Sequence, residues 1–127
     1  MTSTNSPTRY MNLADVIKFD DTIFAFCAFL DDFRRADDKQ SLLVDAPKKN
    51  ATIRRELSIL AATAHKLAND NGLEVPSWVY DSFYIMPHPV YAFDTENQEY
   101  QKHLRETAPP EFAGRNVFYG DNVLERV

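Results

Sequence analysis

The chain has 127 residues, 44% hydrophobic and 13% aromatic, which suits one domain and is too apolar for a disordered chain. A net charge of −5 makes non-specific, charge-driven attraction to nucleic acid weak, and the single cysteine, Cys27, excludes an internal disulfide. With no apolar run of the ~18 residues a membrane span needs and no signal-peptide core, the expectation is a soluble cytoplasmic protein.

Residues 1–11 read as a flexible polar tail, and residues 12–127 as a single helical domain. A short first helix is expected from about Asn12 to Phe19, with Leu13, Val16 and Ile17 on one face. Asp20-Asp21 then offers an N-cap, because an Asp oxygen accepts the orphan N–H groups of the following turn. The second helix, about Thr22 to Ala36, sets Ile23, Phe26, Cys27, Leu30 and Phe33 at helical spacing. Phe24 and Phe29 widen its apolar surface, which predicts burial on more than one side, with Cys27 as a small buried hydrophobe. Residues 37–47 form a connection with one helical turn around Ser41 to Val44, closed by Pro47.

The third helix, Asn50 to Asn71, is the clearest element. Ile53, Leu57, Leu60, Ala64 and Leu67 recur at spacings of four and three, a seam suited to antiparallel helix packing. Ala61, Ala62, Ala64 and Ala68 let a neighbour approach closely. Asn50 is the expected N-cap. Asn71-Gly72 is the expected stop, with Gly72 left-handed and Leu73 closing the cap.

From Glu74 the chain turns aromatic and rich in proline, which forbids a regular helix interior. The segment from Trp78 to Phe93 is expected to start with a brief turn at Ser77 and then run extended over the bundle. Thr95-Glu96-Asn97-Gln98 has capping-box form and begins a fourth helix to about Thr107, presenting Tyr100 and Leu104. Pro109-Pro110 stops it, Val117-Phe118-Tyr119 is briefly extended, and Asp121 is expected to cap a last turn holding Val123, Leu124 and Val127. The fold class these elements predict is mainly α: a small bundle of about four helices with an irregular Pro/aromatic segment and a short extended C-terminal piece.

Chemistry-bearing patterns are sparse. His65, His88 and His103 have no metal-ligand spacing, and His103 with Glu106 would share a helix face but lacks further ligands. Gly72, Gly114 and Gly120 are the only glycines, so no phosphate-cradling loop exists. No Gly-x-Ser-x-Gly turn occurs, and Cys27 has no local activating group. No catalytic residue, metal or cofactor is assigned. The connection of about eleven residues between the second and third helices is too long for a helix-turn-helix, so direct nucleic-acid binding is not expected.

Two contact surfaces remain. Residues 46–72 carry five basic and two acidic groups, whereas both flanking stretches are acidic. Lys48, Lys49, Arg54 and Arg55 surround a helix N-terminus, where the macrodipole favours anions by a few tenths to ~1 kcal/mol each. Something negative must offset them: Asp31, Asp32, Asp37 and Asp38 at the end of the second helix, which is the preferred reading, or an external anion or acidic partner. The second surface is the aromatic-proline segment with Trp78, Tyr80, Tyr84 and His88. Buried, it is a lid on the bundle, the preferred reading; exposed, it is an adhesive patch. Arg105 and Arg115 flank the rigid Pro109-Pro110 turn and mark either a contact site or a closing corner.

Three stretches carry a likeness: Phe29-Leu30-Asp31-Asp32-Phe33-Arg34-Arg35-Ala36, Asn71-Gly72-Leu73-Glu74-Val75-Pro76-Ser77-Trp78, and Ala108-Pro109-Pro110-Glu111-Phe112-Ala113-Gly114-Arg115-Asn116-Val117-Phe118. With the ending Asp121-Asn122-Val123-Leu124-Glu125-Arg126-Val127, they resemble a family of small uncharacterised bacterial proteins. The likeness covers most of the chain after about residue 12. Some relatives resemble parts that accompany helix-turn-helix domains or toxin–antitoxin accessory proteins. The resemblance therefore implies a regulatory, antitoxin-like role with a toxin-like protein partner, and it carries over no catalytic residue. The expectation is a non-enzymatic protein-interaction or regulatory module. The rival is a small ligand binder or enzyme with a pocket between the bundle and the 78–93 segment, using His88, His103 or Glu106.

Overall fold

The computed structural model describes residues 10–124. Asn12 caps a 3-10 turn, Leu13–Lys18, by accepting from Ala14 N at 3.1 Å. Asp21 then caps α1 (Thr22–Arg35) by accepting from Phe24 N at 2.9 Å. Tyr10 and Met11 sit outside the expected domain boundary yet are half-buried, and Met11 N donates to Asp32 Oδ2 at 2.8 Å. The buried face of α1 is Ala25, Phe29, Leu30 and Phe33. Its first turn departs from the sequence expectation: Ile23 is 78% exposed and Phe24 71%. The expected burial on more than one side therefore fails at this turn, and Cys27, expected to be buried, is half-buried.

Asn50 accepts from Thr52 N at 3.0 Å and starts a 3-10 turn, Ala51–Ile53, that leads directly into α2 (Arg54–Asp70). Past its end Gly72 is left-handed at φ 66°, and Leu73 N donates back to Ala68 O at 2.8 Å. That is the Schellman arrangement, in which a glycine avoids the Cβ penalty of the left-handed region. Of the predicted seam, Leu57, Leu60, Ala64 and Leu67 are buried and Ile53 is half-buried, and each fully buried Leu contributes about 1.5–3 kcal/mol. The seam's neighbours differ from expectation. α2 packs against the 3-10 turns Ser77–Tyr80 and Ser82–Tyr84 and against α4 (Pro110–Ala113), not along a long antiparallel helix. Short turns can lie close to α2 because its contact face is largely alanine.

The 74–93 segment is held at several points. The Gln40 side-chain amide clasps Glu74, donating to its carbonyl at 2.7 Å and accepting from its N–H at 3.1 Å. Trp78 Nε1 donates to Leu43 O at 2.9 Å, and buried Ser58 Oγ donates to Tyr84 O at 2.5 Å. β1 (Val90–Tyr91) pairs in parallel with β2 (Val117–Phe118), Val90 opposite Val117. The fourth predicted helix is α3 (Gln98–Thr107), with Leu104 buried. Its cap is Asn97, which accepts from Tyr100 N at 2.9 Å, and not Thr95, whose hydroxyl accepts from Asn97 N instead. The last turn, residues 121–124, buries Leu124; Val127 lies outside the described residues. The fold is mainly α with one two-residue-wide parallel pairing, and among the described residues no helix is long and apolar enough to cross a membrane.

Candidate functional site

Among the described residues, two recesses of different chemistry bear on function. The first, about 400 Å³, lies between α2, residues 79–85 and α4. Helix geometry sets His65 and Asn69 four residues apart on one face of α2, and the turn after Pro109-Pro110 brings Glu111 and Arg115 to them. Arg115 is only 6% exposed. Its guanidinium donates to Glu111 O and Val79 O, both at 2.7 Å, and lies 3.2 Å from His65 Nδ1. Guanidinium can only donate, so His65 Nδ1 is the acceptor and the imidazole proton is on Nε2.

Burial lowers the His65 pKa from its ordinary value and the Arg115 charge lowers it further, both favouring the neutral ring. Burial also lowers that of Arg115. The Tyr80 ring meets His65 edge-on with centroids 5.3 Å apart. Asn69 Nδ2 donates to Glu111 Oε2 at 2.9 Å, while Glu111 Oε1 is buried with no hydrogen-bond partner. Because its Nδ1 lone pair is engaged by Arg115, His65 cannot serve as a general base while that contact stands. The cluster can hold a polar ligand, but it presents no activated nucleophile.

The second recess is an apolar groove of about 540 Å³, walled by the turn Leu13–Lys18, α1, α2, residues 92–93, α3 and the 119–123 stretch. Ile17, Ile23, Phe26, Ile59 and Phe93 line it, with Tyr100 and Tyr119 at its sides. Phe93 stands out. It is 88% exposed, with φ 60° and ψ 17°, and Asp94 follows at φ 51°. Thr95 N donates to Ala92 O at 3.3 Å, closing residues 92–95 into a turn of the mirror-image I′ kind. Both central positions of such a turn need positive φ, which suits Asn, Asp or Gly and penalises a bulky aromatic. Arg55 secures the turn from α2 through an ion pair with Asp94 at 2.6 Å and a contact with Tyr119 Oη at 3.5 Å.

The basic start of α2 is engaged within the protein. Lys49 pairs with Asp81, and Arg55 with Asp94; Arg54 donates to the Phe83 and Ile85 carbonyls at 2.7 and 2.9 Å. The offsetting acids thus come from the 81–94 segment, whereas Asp31 and Asp32 pair with Arg34 and Arg35 on α1 itself. The hydrogen bond and charge of Lys49 lower the Asp81 pKa. Lys48 and His88 are exposed. Trp78 is half-buried and Tyr84 buried, so the start of the aromatic segment is a lid on α2, while Tyr80 remains open to solvent. Arg105 lies over the Tyr91 ring and donates to its hydroxyl at 2.8 Å.

Of the residues singled out from the sequence, Tyr80 and Arg115 meet in the polar recess, and Arg55 braces the turn beside the groove. The others do not converge with them. His65, Glu111 and Ile23 were missed as site residues, the first two because they are joined through contacts distant in sequence and Ile23 because it reads as core, whereas Phe93 ends the aromatic-proline segment expected to be either a lid or an adhesive patch. Among the described residues no group of three or more His, Cys, Asp or Glu is placed to hold a metal ion. No family model, curated protein or solved structure matches this chain.

Proposed function

We propose that this protein is a protein-interaction module whose docking site is the apolar groove beside Phe93. The observation that carries this reading is the Phe93 backbone. A left-handed conformation costs an L-residue about 1–2 kcal/mol, and the fold recovers little of it from a side chain that is 88% exposed. The return is a large aromatic held at the rim of an apolar recess that is also lined by Ile23, which α1 leaves in solvent. Clustered exposed apolar side chains of this kind mark interfaces, where aromatic anchors dominate the binding energy. The family likeness gives this module a regulatory, antitoxin-like context and a toxin-like protein as its first candidate partner.

The test is purification of native complexes with the wild-type chain and with an Ile23→Ser/Phe93→Ser double variant, both positions being solvent-exposed. A partner held in stoichiometric amount by the wild type and lost from the folded variant supports the reading. A partner retained by the variant, or none at all, refutes it.

A second reading, a small-ligand site in the polar recess, is favoured by Glu111 Oε1. A buried carboxylate oxygen without a donor is costly, by about 1–3 kcal/mol, and a ligand bearing an amine or hydroxyl would relieve it. Saturable thermal stabilisation by small amines, absent from Glu111→Gln, is its test; unchanged melting across the series removes it.

A further inference from the structure

The groove's rim is as particular as its floor. Among the groove-lining residues and their immediate chain neighbours, the cations are Lys18 and Arg55, and each is already matched: Lys18 by Asp15 at 2.8 Å, Arg55 by Asp94 at 2.6 Å. The same positions hold four more carboxylates, Asp21, Glu56, Glu99 and Asp121. All four are exposed, and none forms an ion pair among the described residues. Glu56 lines the recess, and Asp21, Glu99 and Asp121 adjoin lining residues in the chain, so the described residues around it carry a net charge of four negative units.

From this juxtaposition, and resting on the reading of the groove as a docking site, we infer that its occupant is an amphipathic helix of a partner protein with Lys or Arg flanking its apolar face. The recess is built mainly of helix flanks and turns, with no strand edge to pair, so the occupant must satisfy its own backbone hydrogen bonds. A helix does so, and presents anchors at i, i+3 or i+4, and i+7 to the apolar floor. The rim then selects among amphipathic helices by charge. A second copy of this chain docked face to face would press the acidic rim against itself, and an anionic membrane or nucleic-acid surface would be repelled in the same way.

The experiment uses the full chain and three labelled helical peptides sharing one Leu/Ile face, with Lys, Gln or Glu at the flanking positions, followed by fluorescence polarisation at low and high salt. The Lys peptide is expected to bind at least about tenfold tighter than the Gln peptide at low salt, and the gap to shrink as salt screens the rim. The Glu peptide is expected to be weakest. Phe93→Ser should weaken all three. Asp21→Asn with Glu56→Gln, Glu99→Gln and Asp121→Asn should level the Lys and Gln peptides, since Asn preserves the cap of α1. Equal Lys and Gln binding that still depends on Phe93 overturns the charge inference and leaves the docking site standing. Binding indifferent to Phe93, or no binding by any peptide, overturns both. Dimerisation of the chain through Phe93 in the absence of peptide would assign the groove to a second copy and overturn the inference too.

Discussion

Replacing Phe93 by Asn separates what the residue does for the fold from what it does for a partner. Asn tolerates the left-handed region because its short polar side chain bonds locally, so the substitution recovers about 1 kcal/mol of backbone strain. Against that stands lost burial. With 88% of the side chain exposed, about an eighth of the roughly 2 kcal/mol available to a buried Phe is at stake, a few tenths. The Arg55–Asp94 pair that braces the turn is untouched. The net expectation is a protein more stable by about 0.5–1 kcal/mol, with a Tm higher by about 2–4 °C and little or no affinity for its partner. Urea titration followed by far-ultraviolet circular dichroism reads the stability, with an unchanged m-value as the check that the native state is the same. Destabilisation by more than about 1 kcal/mol would show that Phe93 serves the fold and would remove the argument from its strain.

Three further outcomes follow from the polar recess and the lid. Arg115→Met deprives the Val79 and Glu111 carbonyls of a charged donor, and should cost about 2–4 kcal/mol in urea titration after allowing for the desolvation the guanidinium no longer suffers. Arg115→Lys should recover little of that loss, because a single ammonium lacks the planar fork that reaches Glu111, Val79 and His65 together; full recovery would contradict the geometry. The depressed His65 pKa means that the unfolded chain binds the proton more tightly, so this group's contribution is fully present above its ordinary value of 6.5 and is lost as pH falls from there through its lower folded value. Melting curves should show that acid-side loss in the wild type and less of it in His65→Asn; identical slopes would refute the assignment. Trp78→Phe removes the bond to Leu43 O and should cost about 1 kcal/mol, with no change where that bond contributes nothing.

Much of the architecture is legible in the chain. α2 shows itself because its apolar seam, the Asn50 cap of the turn that leads into it and its Gly72 stop agree with one another, and local agreement of that sort needs no tertiary context. α3 is legible in extent but not in its cap. Thr95 and Asn97 are both good capping residues two positions apart, and which one wins depends on where the Ala92–Thr95 turn delivers the chain. The exposed turn of α1 is less readable still: helical spacing cannot distinguish an apolar residue that packs inside from one displayed outside, and Ile23 and Phe33 look alike in the sequence. Arg115 reads in the sequence as either a contact site or a closing corner beside a proline turn. Its burial is set by contacts with residues 36 and 50 positions away, which no local pattern encodes. Phe93 is the extreme case, since nothing about a Phe-Asp dipeptide announces a I′ turn, and its strain is visible only in the backbone.

The central claim, that the groove beside Phe93 is where a partner docks, is tested most directly by placing a photo-crosslinking amino acid at position 93 and, in a second protein, at position 80. Both replace exposed aromatics, one at the apolar groove and one at the polar recess. The account predicts a discrete adduct in cells from position 93, abolished by Ile23→Ser, and none from position 80. An adduct from position 80 alone, or from neither, contradicts it.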